Sequence, residues 1–272
     1  MAGPSPTRAS PEAGQPGGDP PHAAARGAAA RTELKHTAGV IAAVLATTVA
    51  IELAAYLAAQ RHVPARAAAI GLAAATLWTI LAAPVLAAGG RSILLAALRG
   101  GAVVDAGAVL LVVLWIHGAS DLAGLVKIYL TWAAIALAQI MAVCVARSAS
   151  RRYAAALAAT AVVLVLAAAP FWANRLILSA RATQEQAVRL VWAYNPFLAA
   201  TTQLAEPAAV VWQERPILYE HTVLGRDVPL YRPAWYASLA AYLLPALALA
   251  IVARRRRIAA SGQGHADASD RA

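Results

Sequence analysis

The chain has 272 residues, of which 61% are hydrophobic and only 13% charged, and it carries a formal net charge of +10. A mean hydropathy of +0.61 excludes an ordinary water-soluble domain, whose charged fraction is about 25%. The pI of about 10.5 looks like a nucleic-acid signature, but the positions of the arginines assign much of it to membrane topology, and nucleic acid is not expected as a partner.

Residues 1–35 are Pro, Gly, Ala and Ser with scattered charge, too poor in large apolar groups to fold alone, and are expected to form a disordered cytoplasmic tail. The first apolar run starts far from Met1 and lacks a small-residue cleavage site, so it is expected to stay as a signal anchor. Six apolar runs follow, over residues 37–59, 67–88, 103–118, 124–146, 153–173 and 234–253. Each approaches the roughly 20 residues that a helix needs to cross hydrocarbon. Helices are expected because they satisfy their own backbone hydrogen bonds where no water can. The predicted fold is therefore an all-α polytopic bundle of six transmembrane helices, five of them within 36–173. An extracytoplasmic segment covers 174–233, the sixth helix and its basic stop cover 234–257, and a second disordered tail covers 258–272.

Arginine and lysine near span ends set the orientation. With the N-terminus inside, the cytoplasmic face receives Arg26, Arg31, Lys35, Arg91, Arg99, Arg147, Arg151, Arg152 and the run Arg254-Arg255-Arg256-Arg257. The opposite face receives Arg61 and Arg66, then little besides Asp121 and Lys127. Both termini are thus predicted to be cytoplasmic, and the alanine and arginine bias points to a bacterial cytoplasmic membrane.

Three polar residues stand out inside the spans: Glu52, Lys127 and Gln139. A carboxylate deep in a span costs a few kcal/mol unless paired, protonated or hydrated. Glu52 and Lys127 lie at similar predicted depth, which makes an ion pair between them the expectation. Gln139 is expected to bond across helices for about 1 kcal/mol. Asp105 is read as favouring a helix N-terminus and His117 as interfacial. Cys144, the single cysteine, is read as a small buried apolar residue. No catalytic, cofactor-binding or metal-binding set emerges; Glu220-His221 lacks the His-Glu-x-x-His spacing that puts two ligands on one helical face.

In the external segment, 184–193 is predicted to be a short helix with Val188, Val191 and Trp192 on one face, ending before Asn195-Pro196. A helical turn or two follows over 197–204, and 217–223 with 228–231 are predicted to pair as a hairpin around Gly225-Arg226-Asp227. Trp192, Tyr194, Trp212, Trp235 and Tyr236 suit an interfacial aromatic belt.

Six spans, both ends cytoplasmic, one long external segment before the last span, and Leu190-Val191-Trp192-Ala193-Tyr194-Asn195-Pro196-Phe197-Leu198 just after the fifth together resemble the membrane subunit of type-2 ABC transporters, the export-type permease family. Asn195 and Pro196 match the family's usual Asn-Pro stretch in that position. The acidic, glycine-containing motif of many members before the second or third span is missing. The resemblance implies a translocation path made by two permease subunits, identical or different, and a separate ATP-binding subunit docked on the cytoplasmic face. The chain has no Gly-x-x-x-x-Gly-Lys-Ser/Thr phosphate cradle, so it is not expected to hydrolyse ATP itself.

For that docking the comparison points to Arg91, Ile93, Leu94, Leu95, Leu98 and Arg99, bracketed by Gly89-Gly90 and Gly100-Gly101. The glycine pairs would let a short helix lie along the membrane surface, apolar side down and arginines toward a partner. The alternatives are a connector with snorkelling arginines for this stretch and, for the whole chain, a polytopic membrane enzyme or a non-catalytic scaffold whose external segment binds a partner.

Overall fold

The computed structural model describes the backbone over residues 20–90, 92–146, 148–204, 222–223 and 233–269, and among these the side chains of all but 20–34, 181 and 257–269. Every described element is a helix. In chain order they are α1 (Pro20–His62), α2 (Ala67–Ala88), α3 (Ile93–Ile116), α4 (Leu122–Cys144), α5 (Ala149–Ala167), α6 (Ala169–Trp172), α7 (Asn174–Ser179), α8 (Gln184–Tyr194), α9 (Pro196–Thr201) and α10 (Trp235–Ser269), with 3-10 turns at Pro64–Arg66 and Arg181–Thr183. Contacts divide the chain into two units, Met1–Ala38 and Gly39–Ala272; all packing described below belongs to the second.

Six helices are long and apolar enough to cross a membrane: Lys35–His62, Pro64–Ala88, Ile93–Ile116, Leu122–Cys144, Ala149–Ala167 and Trp235–Arg256. This matches the expected all-α polytopic architecture, with different ends. α1 reaches back to Pro20 and α10 continues to Ser269, so the backbone of 20–35 and 258–269, expected to lack structure, is helical. Alanine, the strongest helix former, accounts for the first extension, where Ala23-Ala24-Ala25 and Ala28-Ala29-Ala30 recur.

α2, α3 and α4 form the centre, and half or more of each is buried within its most apolar window, against about a fifth for α1, α5 and α10. The outer helices present large apolar side chains outward, including Leu157, Val162 and Val165 on α5 and Leu244, Leu247 and Ile251 on α10. A contiguous apolar exterior of this kind is what hydrocarbon covers.

The third span is full length. Gly100-Gly101, expected to end a surface helix, lie inside α3, which is continuous from its Ser92 cap to Ile116. The reason is packing: a Cβ on Gly100 would meet Ile140 at 2.8 Å and the Ala83 carbonyl at 2.9 Å. Asp105 accordingly stands halfway along the helix and not at its N-terminus, and it accepts from the Tyr129 hydroxyl of α4 at 2.7 Å.

Helix ends follow ordinary capping chemistry. Ser92, Asp121 and Ser148 accept from the backbone N–H of Leu95, Gly124 and Arg151 to start α3, α4 and α5. α3 ends on Gly118 at φ 68°, with Ala119 N–H returning to Leu114 O and Gly118 N–H to Trp115 O, a Schellman turn that needs glycine's left-handed freedom. α5 stops at Ala167, and Pro170, which cannot donate into a continuing ladder, enters the first turn of α6.

The segment expected to lie outside the bundle packs onto it in its described part. Trp192, expected in an interfacial belt, is 2% exposed, and α9 contacts α2, α4 and α5. Val188 and Trp192 form the buried face of α8 as the periodicity predicts. The predicted hairpin, except for Thr222 and Val223, lies outside the described residues, as do Trp212 and Glu220-His221.

Candidate functional site

Three polar arrangements interrupt the apolar interior. The first is on α1, where Thr48, Glu52 and Tyr56 recur every four residues and so share one face. Thr48 accepts from Trp78 Nε1 of α2 at 2.9 Å. Tyr56 packs against Gly71, where an added Cβ would come within 3.3 Å of it, and makes an edge-to-face contact with His117 at 5.8 Å. Glu52 between them is 1% exposed.

Neither Glu52 carboxyl oxygen has a hydrogen-bond partner among the described residues. Its Oε1 lies beside Gly107 of α3, which the Trp132 ring of α4 also covers. Trp132 does not answer the acid: its Nε1 donates to Thr76 Oγ1 at 2.9 Å, and Thr76 donates to Leu72 O. The expected ion pair with Lys127 is not formed. Similar depth brought Glu52 and Lys127 together on paper, but α4 turns Trp132 toward Glu52 and leaves Lys127 elsewhere on its circumference. An intramembrane acid with no counter-ion is a functional candidate on physical grounds, because nothing in its contacts offsets its desolvation.

The second arrangement joins α2, α4 and α5. Pro84, inside α2, has no N–H to give to the carbonyl of Ile80 one turn back. Gln139 Nε2 donates to that carbonyl at 3.0 Å and Thr160 Oγ1 at 3.3 Å. Gln139 thus bonds across helices as expected, and its own Oε1 is left without a partner.

The third is Asn195-Pro196. Asn195 is 2% exposed; its Oδ1 accepts from Leu198 N–H at 2.9 Å and its Nδ2 donates to Ala167 O at 2.6 Å. One side chain therefore starts α9 and closes the end of α5, while Pro196 occupies the first turn where its missing N–H is harmless. Tyr242 of α10 donates to Tyr194 O at 2.6 Å, tying the last span to the same junction.

At one end of the bundle arginines take the carbonyls that helix termini leave over. Arg99 donates to Gly89 O at 2.8 Å, Arg152 donates to Gly90 O and to Ala146 O, and Arg256 donates to Val145 O. The basic residues that set the predicted orientation thus cap the ends of α2 and α4, where the dipole favours cations. Of the expected docking stretch, Arg91 lies outside the described residues, Leu94 and Leu98 are exposed, and Ile93, Leu95 and Arg99 are half-buried in the first turns of α3. Sequence reasoning missed the Pro84 vacancy; the proline inside an apolar run was its signal.

Comparison with known protein families, with curated proteins and with solved structures finds no match to this chain.

Proposed function

We propose that the chain is the permease subunit of an export-type transporter, in which two such subunits enclose the path and a separate ATP-binding subunit supplies the work. The bundle would sit in a bacterial cytoplasmic membrane with both termini inside and the chain between α5 and α10 on the far side, as the positive-inside rule requires. The observation that carries this reading is Asp105. It is an exposed acid at the middle of a spanning helix, on the same outer face as Leu98, Val109 and Val112.

Hydrocarbon against that face would oppose the acid by about 2.5–3.5 kcal/mol. A second subunit or an aqueous path against α3 removes that penalty. Open space beside Gly101, where an added Cβ would touch nothing within 4 Å, leaves room on the same face for close approach of another helix. The order of six spans with the buried Asn195-Pro196 junction between the fifth and sixth agrees with the family resemblance. The α2–α3 turn, with Leu94 exposed beside the arginine-capped helix ends, is the surface on which the ATP-binding subunit would dock.

Cysteine cross-linking tests the reading in a Cys144→Ala background. Val109→Cys on α3 is expected to give a disulfide-linked pair of subunits on oxidation, and Leu157→Cys on the outer face of α5 is expected to give none. An ATP-binding protein encoded beside this chain should copurify with it and cross-link to Leu94→Cys. Absence of both the α3 adduct and the copurifying ATPase rejects the proposal.

A further inference from the structure

A groove of about 390 Å³ runs between α4, α5 and α10, with almost wholly apolar walls that include Ala142, Ala155 and Tyr242. Ala142 and Ala155 also line a second hollow of about 430 Å³, whose wall carries Arg151 and Arg256. The two cavities share these residues and so form one trough, apolar along the bundle and cationic at its mouth. Arg151 lies in the first turn of α5, and Arg256 lies past the end of the sixth span, where it reaches Val145 O. The mouth therefore stands at the end of the helices that meets the membrane surface.

Gln139 and Tyr242 also line the apolar stretch, and their amide N–H and hydroxyl are committed to Ile80 O and Tyr194 O, so its walls offer hydrocarbon.

We infer that this trough binds an anionic phospholipid of the surrounding membrane, with its phosphate on Arg151 and Arg256 and an acyl chain along the apolar walls. The order of chemistries along the trough matches the order along such a molecule: anion, then hydrocarbon. Basic pockets between membrane helices at the cytoplasmic surface select anionic headgroups in this way, and guanidinium pairs phosphate through paired N–H donors. The inference requires only that the helices stand in a bilayer, and it is independent of the transporter reading.

Native mass spectrometry of the full chain, released from detergent with defined lipids, tests it. The probes are lysophosphatidylglycerol, lysophosphatidylcholine and glycerol 3-phosphate. Lysophosphatidylglycerol should bind about tenfold more tightly than each of the other two, the difference expected for one strong charge-assisted contact. Arg151→Gln with Arg256→Gln should reduce it to the lysophosphatidylcholine level, and Ala155→Trp, which fills the trough, should abolish retention. Arg254→Gln with Arg255→Gln serves as the control for net charge and should leave binding unchanged. Equal binding of the zwitterionic or tail-less probe overturns the proposal, and so does undiminished binding in a folded Ala155→Trp variant. The probe series on the unaltered chain decides the matter even where a variant fails to fold.

Discussion

Gln139 of α4 donates its amide N–H to the carbonyl of Ile80 in α2 at 3.0 Å, because Pro84 cannot. The bond repairs a vacancy that α2 carries within its own ladder, and Thr160 of α5 shares the repair. A proline in the interior thereby becomes the point at which three spans are fastened. Pro84→Ala supplies the missing N–H, so Gln139→Leu should destabilise the original chain by about 1 kcal/mol and the Pro84→Ala chain by less. Unfolding by detergent titration across the four-member cycle measures this coupling, and equal losses in both backgrounds would remove the proposed link.

Glu52 and Lys127 should behave as independent residues. With both oxygens unpartnered, Glu52→Gln is expected to hold stability or raise it by about 1–3 kcal/mol. Combining it with Lys127→Met should give additive changes to within about 0.5 kcal/mol. Thermal unfolding in nanodiscs is the measurement. A strong positive coupling would restore the ion pair that the geometry lacks.

Adjacent glycines on α3 should respond in opposite directions. A Cβ on Gly100 would press on Ile140 and the Ala83 carbonyl, whereas one on Gly101 would meet nothing. Gly100→Ala is therefore expected to cost about 1–3 kcal/mol through overpacking, while Gly101→Ala should stabilise α3 of the separated subunit by up to about 1 kcal/mol. Parallel melting curves distinguish the two, and a similar response at both sites would point to a hinge.

Asn195 holds two groups at once, and two substitutions separate them. Asn195→Asp keeps the acceptor for Leu198 N–H but loses the donor to Ala167 O, a loss of about 1–3 kcal/mol. Asn195→Ala removes the cap as well, adding about 0.5–2 kcal/mol. Hydrogen exchange should then accelerate in α9 for the alanine variant and leave the α9 N-terminus protected in the aspartate variant. Equal exchange in both would refute the division of labour.

The number and type of spans were legible because the runs are long, apolar and bounded by arginine, and insertion into hydrocarbon depends on little else. Their ends were less legible. Gly100-Gly101 read as a break because glycine's backbone freedom is visible in sequence, while the Ile140 side chain that requires a glycine there belongs to another helix. Gln139 was recognised as a cross-helix donor, but its acceptor depended on Pro84, and that pairing exists only in three dimensions. The supposed partner of Glu52 failed for the reverse reason: depth can be counted along a sequence, whereas the direction a side chain takes around its helix depends on how the neighbours rotate it. Asn195-Pro196 was singled out by position alone, and its two hydrogen bonds show what the pair does locally.

α9 is six residues long and sits with Pro196, Leu198, Ala199, Ala200 and Thr201 all buried, against α2, α4 and α5. Ser120, in the turn between α3 and α4, donates to Gln203 O at 2.8 Å just beyond it. α9 is thus a wedge: displacing it would spread three spans together, so the chain that joins α5 to α10 is mechanically tied to the centre of the bundle.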